Sequence, residues 1–165
     1  QLVSKEKVEI LGLNINQHIP DGLSASECIK EILNLGGLAV INWAPGKWLF
    51  KRRQIIKRLL KDFDTNLALG DTTLRPKLFP EPSLMSRHIA DSKPVIRGSD
   101  PLPCPGEERL IGSYCIKHKF ENPKDINRLK IELVDFLCKE SHSAKALGKR
   151  SSLAQVYWRL KRYYS

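Results

Sequence analysis

The chain has 165 residues, 41% of them apolar, and a formal net charge of +10. That length suits one domain or a large part of one, and the apolar fraction can fill a core, so disorder is not the default expectation. No apolar run approaches the roughly 18 residues of a membrane span, so no membrane is expected among its partners.

Four cysteines (Cys28, Cys104, Cys115 and Cys138) form no C-x-x-C pair. That pattern argues against a zinc ribbon or a disulfide scaffold and for reduced thiols in a cytoplasmic protein. Cys28 and Cys138 fall on apolar helical stripes and are expected in the core. The first residues are Gln1-Leu2-Val3, without a start methionine, which suggests a fragment or a processed chain.

Residues 8–15 read as the first strand, and Pro20-Asp21-Gly22 as a turn. Ser24-x-x-Glu27 is a capping box that opens a helix with Ala25, Cys28, Ile29, Ile32 and Leu33 on one face. Gly36-Gly37 ends that helix. Residues 38–41 are a continuous apolar strand of the kind buried on both faces. A basic helix follows with Ile55, Ile56, Leu59, Leu60 and Phe63 inward. Residues 66–69 are the third strand, a short helix spans about 84–90, and Val95-Ile96 form the fourth strand. Beyond residue 120 the pattern turns helical. Asn122 is expected to cap, Pro123 suits a first helical position, and Ile126, Leu129, Leu133, Phe136 and Leu137 make the stripe. Gly148 is expected to break it, and a last helix starts near Ser152.

The expected fold is therefore α/β. Parallel strands alternate with helices over residues 1–120, and a helical extension over 121–165 packs on them. In a parallel sheet every strand exit lies at one edge, where ligands bind. The exits here carry Asn16, Gln17 and His18; Asn42, Trp43 and Lys47; Asp71, Thr72 and Arg75; and Ser99 and Asp100, with Glu107 and Glu108 beyond. Asp71 and Asp100 are the candidate catalytic and metal-binding carboxylates, with His18 a third ligand. Lys47, Arg75 and Arg97 are candidates for binding phosphate, although Arg97, one step before its exit, also suits the outer helix layer. Each has a plainer reading, since an Asp after Gly can cap a turn and an acidic pair after Pro-Gly can open a helix.

Charge adds a second theme. Residues 46–61 hold seven Lys/Arg and no acid, and residues 141–165 hold six and no acid. Such runs are either solvated faces or contacts for acidic partners: nucleic acid, a phosphorylated small molecule or an anionic membrane surface.

Three segments carry a resemblance: residues 36–43 (Gly-Gly-Leu-Ala-Val-Ile-Asn-Trp), Leu69-Gly70-Asp71, and residues 95–100 (Val-Ile-Arg-Gly-Ser-Asp). They resemble the later strands of the PHP (polymerase and histidinol phosphatase) superfamily, over roughly residues 8–115. The resemblance implies part of a distorted, TIM-like barrel whose active members hold divalent metals such as Mg²⁺, Mn²⁺ or Zn²⁺ and hydrolyse phosphoesters. It also implies bare sheet edges, to be covered by an N-terminal half of the barrel or by a second copy. The chain departs from the family pattern in three places. It has no His-x-His on the first strand, Asn42-Trp43 stand where a His-Pro is usual, and Pro101-Leu102 follow Asp100 where a histidine is usual. The expectation is a divergent domain with a phosphate-directed rim and a metal site that is degenerate or lost. The alternative is a non-catalytic module for a phosphorylated ligand or nucleic acid.

Overall fold

A computed structural model describes residues 1–121 and 123–164. Five strands, β1 (Leu2–Val3), β2 (Glu9–Leu13), β3 (Leu38–Asn42), β4 (Leu67–Thr72) and β5 (Val95–Gly98), form one sheet in that order. The sheet is open, not a closed barrel. β3, β4 and β5 are parallel, with Ile41 beside Leu69 and Leu69 beside Val95.

β2 departs from the expected all-parallel pattern. It runs antiparallel to β3, with Leu13 opposite Leu38 and Leu11 opposite Val40. The cause lies in residues 14–24. This segment returns along the length of β2, so that Leu23 accepts a hydrogen bond from the Lys5 amide and Glu6 accepts one from the Ala25 amide. Helix α1 (Ala25–Asn34) thus starts near the beginning of β2 and delivers the chain to β3 beside the end of β2. Its capping box forms as the sequence predicts, with Ser24 and Glu27 each accepting from the other's backbone amide.

α1, α2 (Phe50–Phe63) and α3 (Ser83–Ala90) cover one face of the sheet. Strand alternation sorts the core. Ala39, Ile41, Leu67 and Leu69 pack with Ile29, Ile32, Ile56, Leu59 and Met85 on that side. Leu38, Val40 and Ala68 face the other way, against Phe136 and Leu137 of α4 (Ile126–Lys139). Cys28 is buried in the first cluster and Cys138 packs half-buried against the second.

The C-terminal region is less helical than its stripe suggests. β6 (Tyr114–Ile116) and β7 (Ala146–Gly148) pair antiparallel as a separate two-stranded sheet, so contacts cross the boundary expected at residue 120. Gly148 is a strand residue, not the breaker of a helix. Its φ of +79° and the Ser113 carbonyl against its Cα leave no space for a side chain. The cap expected at Asn122 lies outside the described residues. α4 begins at Ile126 instead, capped by Asp125, which accepts from the Asn127 and Arg128 amides at 3.1 Å. α5 (Leu153–Tyr164) ends the described chain. Among the described residues, no helix is long and apolar enough to cross a membrane.

Candidate functional site

The C-terminal ends of β3, β4 and β5 share one rim, and the start of β2 joins them because β2 is antiparallel. A cavity of about 220 Å³ opens there, lined by Glu9, Asn42, Lys47 and Asp100 and walled by Tyr163 and Tyr164 of α5. The sequence reading anticipated Asn42, Lys47 and Asp100 at this place. It missed Glu9 and the two tyrosines. A glutamate inside the apolar strand Val8-Glu9-Ile10 was the available signal, but only an antiparallel β2 puts it on this rim.

Asp100 sits in the left-handed region, φ +47°, which a non-glycine residue adopts at some cost. Burial pushes its carboxyl above the ordinary aspartate range. The positive charges of Arg159 and Lys47 and a hydrogen bond from Asn42 oppose that shift, while Glu9 adds to it. Asn42 is held in place because Gly70 on the neighbouring strand has no side chain; a Cβ there would overlap Asn42 Oδ1. Lys47 is ion-paired to Glu9. The lysine of the cavity is thus paired with Glu9, and Asp100 places a second carboxyl group beside that pair.

The raised Asp100 carboxyl makes a prediction. A group whose folded-state pKa exceeds its unfolded value of 3.8 contributes stability only below the unfolded value, and loses it as pH rises through the folded one. Asp100→Asn keeps the shape, tolerates the left-handed backbone and carries no charge to desolvate. It should be more stable than the parent in urea unfolding at neutral pH, and the gain should shrink as pH falls towards 4. An equal gain at both pH values would remove ionisation as its cause.

The other anticipated residues serve the fold. Asp71 is buried and its oxygens are occupied. Oδ1 accepts from Arg75 Nε at 2.7 Å, and Oδ2 accepts from Arg75 Nη2 at 2.7 Å and from the Tyr114 hydroxyl at 2.8 Å. Burial, with Asp71 alongside, pushes the Tyr114 hydroxyl up to about 12. Arg75 also donates through Nη1 to the Phe79 and Pro80 carbonyls at 2.9 and 3.2 Å, so four of its five donors are engaged within the fold. Arg97 reaches outward and donates to the Ser141 and Ala144 carbonyls at 3.2 and 3.0 Å beyond the end of α4. His18 is exposed on the segment that leaves the opposite edge of the sheet, after the end of β2, so it cannot join the aspartates. Trp43 is buried in the core, its amide donating to the Gly70 carbonyl at 2.8 Å and its carbonyl accepting from Thr72. Glu107 is buried against Arg159 (2.7 Å), and Glu108 accepts from the Gly106 amide at the surface.

Among the described residues, no three His, Cys, Asp or Glu side chains are grouped to hold an ion. With Asp71 saturated and His18 elsewhere, Asp100 and Glu9 remain, and Glu9 is spent on Lys47. These residues do not fit the multi-metal centre that the PHP resemblance implies.

Outside the rim, α2 presents a different surface. Ile56 and Leu59 turn inward, while Lys51, Lys57, Arg58 and Lys61 are exposed and Arg52 and Arg53 are half-buried. Among the described residues these six cations enter no ion pair; Arg53 donates to Ser83 Oγ at 2.7 Å.

No family model, curated protein or solved structure matches the chain.

Proposed function

We propose that this chain is a divergent PHP-like domain that works as a non-catalytic nucleic-acid-binding module. In this reading the three parallel strands β3, β4 and β5 correspond to later strands of the barrel, supported by the Gly-Ser-Asp at the exit of β5 and by the apolar β3 and β4. The metal-dependent phosphoesterase activity of the superfamily is lost, because the rim offers no ligand set for divalent ions and its lysine is already neutralised. The observation that carries the proposal is α2, where six cations enter no ion pair among the described residues and Asp62 is the one acid of the helix. Such a face follows phosphates by charge and releases their counterions.

Fluorescence anisotropy with labelled duplex DNA tests this. Binding at about 50 mM salt should weaken steeply by about 200 mM. Replacing Lys57, Arg58 and Lys61 with glutamine should cut the slope of log affinity against log salt by about 3, with melting temperature unchanged. No binding at the lower salt, or affinity indifferent to salt, would overturn the proposal. Phosphoesterase turnover that appears on adding Mn²⁺ and vanishes in Asp100→Ala would restore the hydrolase.

A further inference from the structure

α5 is an unusual helix to find on a surface. Its inner stripe is anchored by Val156, by Arg159 and by Leu160 at the cavity wall. Its outer surface carries Tyr157 and Trp158, which are 59% and 60% exposed. Lys161 lies 5.0 Å from the centre of the Trp158 ring, and the Tyr157 and Trp158 rings meet edge to face at 5.5 Å. The chain from 141 to 165 contains no acid, and Lys145, Lys149 and Lys161 are exposed along it, while Arg162 donates to the Pro105 carbonyl at 3.0 Å beside Glu107.

We infer that α5 is a stacking platform for single-stranded nucleic acid. This rests on the nucleic-acid reading of α2 and adds the class of ligand. Exposed rings interleaved with cations, with no acid between them, suit a strand whose bases are free to stack while its phosphates meet the lysines. A duplex hides its base faces and could use only the charges. A membrane-surface helix would segregate an aliphatic face from its charges. Here Lys161 lies among the rings and Leu153 is the lone exposed aliphatic side chain of the helix beyond Ala154. The inner anchors fix the platform before the ligand arrives, which lowers the ordering cost of binding.

Arg53 at the start of α2 donates to Ser83 at the start of α3, and the segment between β4 and α3 is tied to the approach to α5. There the Lys77 amide donates to the Ser151 carbonyl at 2.9 Å, and Arg150 donates to the Lys77 carbonyl at 3.3 Å.

Tryptophan fluorescence gives a direct test, because Trp43 and Trp48 are buried and Trp158 is the exposed reporter. An oligothymidine of about 20 nucleotides should quench the emission and bind more tightly than a duplex of similar length. Trp158→Ala should weaken the oligothymidine roughly 10-fold and leave the duplex unchanged, and Trp158→Phe should recover most of the loss. The α2 glutamine variant should weaken both ligands. Equal affinity for strand and duplex without quenching would overturn this inference while leaving the α2 reading standing. No binding of either at low salt would overturn both. A fluorescence response to vesicles of phosphatidylserine and phosphatidylcholine, with none to oligothymidine, would assign α5 to a lipid surface and overturn it as well.

Discussion

Arg75→Ala should cost about 3–5 kcal/mol of folding stability, the range seen when one partner of a buried ion pair is removed. The guanidinium and the Asp71 carboxylate are almost fully shielded from solvent, and they meet through two 2.7 Å hydrogen bonds in fork-to-fork geometry. Without Arg75, Asp71 keeps only the Tyr114 hydroxyl, and the Phe79 and Pro80 carbonyls lose a donor. Most domains have about 5–15 kcal/mol in total, so this variant should unfold at markedly lower urea. The double variant Asp71→Leu with Arg75→Met should recover most of the loss, because two apolar groups leave nothing buried and unpaired. Tyr114 extends the argument to alkaline pH. Its hydroxyl titrates near 12 in the fold against 10.0 in its absence, so the unfolded chain gives up that proton first. Stability from this group is full below about pH 10 and falls towards pH 12, and Tyr114→Phe should remove that part of the fall. A loss below about 1 kcal/mol for Arg75→Ala would mean that the pair is open to water, and would return Asp71 to the role of an available metal ligand.

The residues that make this pair show what a sequence can disclose. Asp71 and Arg75 were legible as polar groups at a strand exit, because the apolar run 67–69 ends there. Their mutual commitment was not legible as such: a spacing of four outside a helix gives no rule for contact, and Tyr114 comes from a strand 43 residues away. α1, α2 and α3 were legible from helical periodicity and, for α1, from its capping box. β6 and β7 are three residues each, too short for alternation to register, and their pairing joins segments about 30 residues apart. The direction of β2 depended on whether residues 14–24 form a compact loop or a strand-length return, and composition does not distinguish the two. That one reversal moved His18 to the far edge and brought Glu9 to the rim. It turned an expected phosphate site into a cavity whose lysine is already neutralised. Within the basic run at 46–61, Lys51, Lys57, Arg58 and Lys61 needed no tertiary information, because they face solvent and their spacing separates them from the inward stripe, whereas the pairing of Lys47 with Glu9 depended on the direction of β2.

The last large effect concerns the attachment of α5. Arg159 is buried and donates through Nε and Nη2 to Glu107, through Nη1 to Thr73 Oγ1 at 2.8 Å and through Nη2 to the Asp100 carbonyl at 3.1 Å. One side chain thus pins the helix to the loops after both β4 and β5. Arg159→Ala should cost about 3–5 kcal/mol, because Glu107 would stay buried with the Leu102 amide and the more distant Arg162, at 3.6 Å. Arg159→Lys should fall between, keeping the charge and losing the fork. Burial pushes the Glu107 carboxyl up, but the hydrogen bonds from Arg159 and Leu102 and the charges of Arg159 and Arg162 outweigh it and hold the group below the ordinary range. A depressed carboxyl stabilises the fold above its unfolded pKa, and that contribution disappears as pH falls through the folded value. Acid should therefore release α5 ahead of the sheet. Amide hydrogen exchange separates local from global loss: in Arg159→Ala the α5 amides should lose protection while those of β3 and β4 keep most of theirs. Because Leu160, Tyr163 and Tyr164 wall the cavity from α5, the same variant should open the rim around Asp100 to solvent. It should also weaken oligothymidine binding without touching Trp158, since the stacking rings would no longer be held in one orientation. Unchanged α5 protection in Arg159→Ala would show that Val156 and Leu160 hold the helix without the latch.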